Sequence, residues 1–219
     1  MNGFVFDMDG VLLDSIRIWH EAEDKVLEGT GLELSKEDRD KVNALTLEEA
    51  GDFFHERFGI RESGEAVVNV IKAYMLEFYS TAVEPNPGVV DFLQAVYDAG
   101  APMCVLSSSP PAFIRAGLEH TDLKRYFDED LLISAEDRGL TKREASTFRQ
   151  ICDLLGTSPA ETWLFDDSWY ALKTAHETGL RCVGAFSTDK CGTHEELARY
   201  SDLVIDDFTA LAAPDFLSR

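Results

Sequence analysis

The chain has few cysteines, few basic residues and no long apolar run, and each shortage closes off a class of function. Only four cysteines, Cys104, Cys152, Cys182 and Cys191, occur in 219 residues, and none forms a C-x-x-C pair. That spacing supports neither a zinc site nor a disulfide framework. It fits buried thiols for the first three and an exposed position for Cys191, which lies in the polar stretch Thr188–Thr193. Twenty Lys and Arg stand against 41 Asp and Glu, a formal net charge of −21. A surface of that sign repels phosphodiester backbones and anionic lipid, so neither nucleic acid nor a membrane is an expected partner. No stretch reaches the ~18 consecutive apolar residues of a membrane span, and the first residues form an acid-bearing strand rather than a basic signal peptide. A cytoplasmic location is expected. Repeats and low-complexity tracts are missing as well.

What is present is a rhythm. Apolar runs rich in β-formers recur at Gly3–Phe6, Met103–Leu106, Leu131–Ser134, Trp163–Phe165, Cys182–Phe186 and Leu203–Ile205, with helical patterns between the later ones. They lack in/out alternation, as strands covered on both faces do. The pattern predicts an α/β fold: a doubly wound, Rossmann-like parallel sheet closed by right-handed crossovers.

One interval breaks the rhythm. Residues 16–85 read as helix after helix and predict an inserted α-helical cap, leaving 1–15 and 86–219 as the core. Ser15 is placed to cap a helix ending near Gly29, Ser35 precedes an acidic turn, Thr46–Glu49 is a capping box and Ser63 opens a fourth helix. Trp19, Val26, Phe53, Phe54, Phe58, Ile71, Tyr74, Met75 and Phe78 are the expected core of this small bundle. The chain returns through Glu84-Pro85-Asn86-Pro87-Gly88, where Pro87 is suited to start the next helix.

The chemistry sits where strands end. Phe4-Val5-Phe6-Asp7-Met8-Asp9-Gly10 closes an apolar strand with two carboxylates one residue apart, before a glycine that lets the chain turn. Two such acids repel unless a hard cation neutralises them, and an oxygen-only ligand set favours magnesium. A strand-end turn with both acids on backbone N–H groups is the plain alternative. A calcium loop does not fit an apolar strand before and Val11-Leu12-Leu13 after. Trp163-Leu164-Phe165-Asp166-Asp167-Ser168 is a second acid-tipped strand, and if it neighbours the first, Asp167 joins Asp7 and the carbonyl of Asp9 in an oxygen cage, with Asp166 as a further candidate. Val204-Ile205-Asp206-Asp207 looks similar but has no phosphate-binding companions, and a surface turn at an edge strand is expected there. Ser107 and the backbone N–H of Ser108, ahead of a helix, could hold an oxyanion. Lys142, just before another core helix, is the available cation for phosphoryl oxygens.

In this order and at these spacings, Asp7-Met8-Asp9-Gly10-Val11-Leu12-Leu13-Asp14-Ser15, Ser107, Lys142 and Asp166-Asp167-Ser168 resemble the four signature motifs of the haloacid dehalogenase superfamily. The similarity is to the helical-cap branch that holds β-phosphoglucomutase and phosphoglycolate phosphatase, and it spans nearly the whole chain. It implies a magnesium-dependent phosphatase of a small phosphorylated metabolite. Asp7 would attack phosphorus to form an aspartyl-phosphate, and Asp9 would protonate the leaving oxygen and later activate water. The metal would be held by Asp7, the Asp9 carbonyl, Asp167 and Asp166, with Ser107, Ser108 and Lys142 on the phosphoryl oxygens and the cap excluding water. A sugar phosphomutase or phosphotransferase, or a non-catalytic metal- and phosphate-binding relative, are the alternatives. Two departures stand out. The branch's phosphatases usually read K-P-x-P at the third motif, where this chain has Lys142-Arg143-Glu144-Ala145, and Trp19 occupies the place of a mutase histidine, with His20 one step round the helix.

Overall fold

The structure, a computed structural model, describes residues 1–42, 45–186 and 193–217. Cys191 and most of its polar stretch lie outside these residues. The chain divides into two compact units, Met1–Ser15 with Val83–Arg219, and Ile16–Ala82.

The larger unit is built on six strands: β1 (Gly3–Phe6), β2 (Met103–Ser107), β3 (Leu132–Ser134), β4 (Thr162–Asp166), β5 (Arg181–Ala185) and β6 (Leu203–Ile205). All neighbouring pairs are parallel and the order is β3-β2-β1-β4-β5-β6. β1 and β4 therefore lie side by side at the centre, where the winding reverses and open α/β sheets place their ligands. In the smaller unit the helices are α1 (Ile16–Leu27), α2 (Lys36–Val42), α3 (Leu47–Phe58) and α4 (Gly64–Thr81). The larger unit carries α5 (Val89–Asp98), α6 (Pro111–His120), α7 (Ala145–Leu155), α8 (Trp169–Thr178), α9 (His194–Ala198) and α10 (Ala213–Leu217).

Alternation along β1 sorts the core into two layers. Phe4 and Phe6 point to one face and meet Phe92, Phe127 and Phe165, with Phe208 and Phe216 packed on Phe165. Val5 points to the other and joins Cys104, Leu106, Phe148, Ile151, Cys152, Leu164, Leu172 and Cys182. Both faces are dry, which is why these strands show no polar alternation. Cys104, Cys152 and Cys182 are free buried thiols.

Three local expectations are corrected. α5 begins at Val89 rather than Pro87, because Gly88 precedes it with φ 81°. A Cβ at Gly88 would lie 2.5 Å from the Thr209 nitrogen, so glycine is needed there for space as well as for backbone shape. Leu131 closes a 3-10 turn instead of opening β3. Residues 83–85 fall with the larger unit rather than the helical one: Asp14 N–H donates to the Glu84 carbonyl, and Asn86 N–H just beyond donates to that of Leu12.

In the helical unit the Thr46–Glu49 capping box and the Ser63 cap both form. Val26, Phe54, Ile71 and Met75 are buried, with Val67, Val68 and Tyr79, but Trp19, Phe53, Phe58, Tyr74 and Phe78 are only half-buried. Lys41 stacks over Phe53 and Arg57 over Phe58, so both rings carry cations on a face left open by the packing. Glu23 is buried within α1, and desolvation outweighs its ion pair with Arg39, lifting its pKa from 4.5 to about 7. The folded state therefore keeps a proton that the unfolded chain releases. Stability contributed here is full below about pH 4.5 and falls as pH rises to about 7, by about 3 kcal/mol. Urea melts at pH 5 and pH 8 should show a smaller pH difference for Glu23→Gln than for the native chain; identical differences would refute this origin.

Candidate active site

β1 and β4 run in register, Phe6 beside Phe165, so the next residues outward, Asp7 and Asp166, emerge together at the carboxyl edge. Asp7 N–H donates to the Phe165 carbonyl at 2.9 Å, which fixes the first acid to the neighbouring strand. Beyond it the chain turns sharply. Gly10 adopts φ 71°, and Leu12 and Leu13 N–H both return to the Met8 carbonyl.

Asp7, Asp166 and Asp167 form a buried triad in which one carboxylate oxygen from each lies within 4.8 Å of the others. Lys142 is 3% exposed and places its Nζ 2.8 Å from Asp7 Oδ1 and 2.8 Å from Asp166 Oδ2. Three carboxylates and one ammonium leave a local charge of −2 in a dry site. Burial raises the pKa of Asp7 well above the usual carboxylate range; Lys142 opposes the rise and the Asp166, Asp167 and Asp9 charges add to it. Asp166 is raised for the same first reason, against the pull of Lys142. Burial alone would lower the Lys142 pKa, but Asp166 and Asp7 outweigh it and hold the ammonium charged far above neutral pH.

Asp9 is held differently. Its Oδ1 accepts the Ser15 hydroxyl at 2.6 Å and its Oδ2 accepts the Ser109 hydroxyl at 2.6 Å. Neither serine stands out in the sequence as a partner of Asp9. Ser15 reads as a helix cap and Ser109 as the last of three serines before Pro110; only the sheet brings residue 109 to residue 9. Ser107 ends β2 beside β1, is buried, and its Oγ accepts the Ser109 N–H at 3.0 Å, leaving its own O–H to donate. Ser108 is exposed at the same strand end. Asp166 Oδ1 accepts the Ser168 N–H at 2.8 Å, which ties β4 to the start of α8. The look-alike pair Asp206-Asp207 follows the edge strand β6, with Asp206 exposed and Asp207 capping a 3-10 turn through the Thr209 N–H.

The donor set suits magnesium. Oxygens on opposite sides of an octahedral ion are about 4.2 Å apart, from bond lengths near 2.1 Å, so the triad needs only small adjustment to share one ion. The net −2 of the cluster matches a divalent charge, and hard carboxylates select magnesium over softer metals.

Residues 1–179 match a hydrolase family described as haloacid dehalogenase-like hydrolase. The chain is 23% identical over 183 residues to a phosphorylated carbohydrates phosphatase of Thermotoga maritima, covering 84% of each chain. It is 27% identical over 191 residues to the fructose-1-phosphate phosphatase YqaB of Escherichia coli, covering 83% of this chain and 94% of that one. The crystal structure of CbbY from Rhodobacter sphaeroides in complex with phosphate superposes with a TM-score of 0.80 over 99% of both chains, at 18% identity.

Proposed function

This chain belongs to the haloacid dehalogenase-like hydrolase family, and from that premise we propose that it is a magnesium-dependent phosphatase of a small phosphorylated metabolite, working through an aspartyl-phosphate. One observation carries the reading: a buried triad of acids bridged by Lys142 stands beside a further acid, Asp9, whose two oxygens are held by hydroxyls. Two relatives are named for phosphorylated carbohydrates and another for phosphoglycolate, which supports a small phosphomonoester substrate.

Asp7, Asp166, Asp167 and the main-chain carbonyl of Asp9 would hold the ion. Bound there, magnesium would supply positive charge to offset these acids and Lewis-acid stabilisation of the phosphoryl group. The Asp7 carboxylate attacks phosphorus, forming a P–O bond to Asp7 as the bond to the leaving oxygen breaks. Asp9 supplies the proton that the leaving oxygen takes up. Lys142, the Ser107 hydroxyl and the Ser108 N–H grip the equatorial phosphoryl oxygens, where charge spreads during transfer. Asp9, now ionised, takes a proton from water, which attacks phosphorus and releases inorganic phosphate and free Asp7. Ser15 and Ser109 keep the Asp9 carboxylate aimed between these steps.

The test is phosphate release from aryl and alkyl monoesters with magnesium or with excess chelator. Native protein should lose activity on chelation. Asp9→Asn should lower turnover of alkyl esters by about 10²–10⁴-fold, and should lower the first phosphoryl transfer from nitrophenyl phosphate far less, because that leaving group needs no proton. Equal losses on both would remove Asp9 as the acid. Phosphate passing to an added sugar in preference to water would favour a mutase, and no release across a broad metabolite panel would favour a binding protein.

A further inference from the structure

The loop that carries Lys142 lacks the prolines of the K-P-x-P pattern, yet it delivers Nζ to within 2.8 Å of two acids. An all-L loop without proline has more conformations to lose, so other contacts must fix it. Some are local. Thr147 Oγ1 donates to the Thr141 carbonyl at 2.7 Å, Arg143 N–H to Thr141 Oγ1 at 3.3 Å and Glu144 N–H to the Thr141 carbonyl at 3.1 Å. These bonds hold the loop to α7 but do not set it against α8, where Asp166 and Asp167 are anchored.

One contact does. The Arg143 guanidinium lies 3.9 Å from the centre of the Tyr170 ring. Tyr170 is in the first turn of α8, three residues after Asp167, close enough for the charges of Lys142, Asp166 and Asp7 to act on its hydroxyl. The stack therefore spans the loop before α7 and the start of α8, next to the ammonium. Arg143 is otherwise exposed, and a planar guanidinium on an aromatic face is a fixed geometry that a solvated side chain would not adopt without gain.

We propose that Arg143 and Tyr170 form a brace that positions Lys142 against Asp7 and Asp166, fixing by stacking a loop that has no proline to restrict it. The proposal rests on the phosphatase reading for its kinetic consequence, and on the loop alone for its structural one. Both are positioning residues, acting through Lys142.

Arg143→Ala and Tyr170→Leu should each lower kcat/KM for an aryl phosphate about 3- to 30-fold, from the strength of such stacks. The double variant should be no worse than the weaker single one by more than about twofold, since one contact is lost in all three. Tyr170→Phe, which keeps the ring, should retain most of the activity. Placed in a Lys142→Met background, Arg143→Ala should cause no further loss. A loss that persists there would show Arg143 meeting the substrate itself, and additive losses or none at all would equally overturn the brace. Hydrogen exchange of the segment 140–146 provides a readout free of catalysis: it should speed up in Arg143→Ala and Tyr170→Leu but not in Tyr170→Phe. If the native protein released no phosphate, the functional reading would fail while exchange still decided the brace; unchanged exchange in all variants would reject it.

Discussion

Asp7→Asn is expected to lower phosphate release by at least about 10⁴-fold, because it removes the oxygen that bonds to phosphorus and no neighbouring group can take its place. Asp166 is engaged by Lys142 and the Ser168 N–H, Asp167 by the Ser168 hydroxyl and Asp9 by two hydroxyls. The amide is nearly isosteric with the acid and still offers an oxygen to Lys142, so the fold should survive. Stability should even rise in the absence of metal. Burial and three nearby acids raise the pKa of Asp7, so its ionised form at pH 7 is held at a cost that the neutral amide does not carry. A higher melting temperature without magnesium, together with lost turnover, would separate chemistry from folding. Activity within tenfold of native would remove Asp7 as the nucleophile.

Lys142→Met is expected to act on both. The stem of methionine fills the same space, but Asp7 and Asp166 lose the ammonium that bridges them in a site where the lysine is 3% exposed. Breaking a buried pair while leaving its acids in place typically costs about 3–5 kcal/mol. The acids can recover part of that by taking up protons. Magnesium should recover more, since it supplies the charge that the lysine no longer does, so the variant should be stabilised by the ion more than the native chain is. Turnover should fall about 10²–10³-fold even with saturating metal, the usual loss when one donor to a charged transition state is removed. Thermal melts with and without magnesium, paired with steady-state kinetics, check both parts. A variant as stable as native in chelator would mean that Lys142 does not neutralise these acids.

Much of this arrangement is legible in the chain, for physical reasons. A strand buried on both faces must be apolar throughout, so the break from Phe6 to Asp7 marks the end of β1 and the break from Phe165 to Asp166 falls within one residue of the end of β4. The parallel sheet follows from the helices between strands, whereas the adjacency of the two acid-tipped strands is only a condition of the metal reading until the sheet order supplies it. Other features have no local signal. Ser109 and Asp9 are 100 residues apart and meet only because β2 and β1 are neighbours. Gly88 precedes α5 because Phe208 and Thr209 leave no room for a side chain, a constraint set by distant chain. Five of the six aromatic residues assigned to the helical core sit at its margin, because periodicity marks the apolar stripe but not how deeply each ring is buried. The missing prolines around Lys142 are visible in the sequence, whereas the Arg143–Tyr170 stack becomes visible only once α7 and α8 are side by side.

The most direct test is to trap the phosphorylated enzyme. Rapid mixing with a labelled aryl phosphate and magnesium, an acid quench, borohydride reduction of the acyl phosphate and peptide mapping should place homoserine at position 7, and Asp7→Asn should give none. Reduction at Asp9, Asp166 or Asp167, or a first turnover that frees the aryl alcohol with no residue modified, would contradict the account.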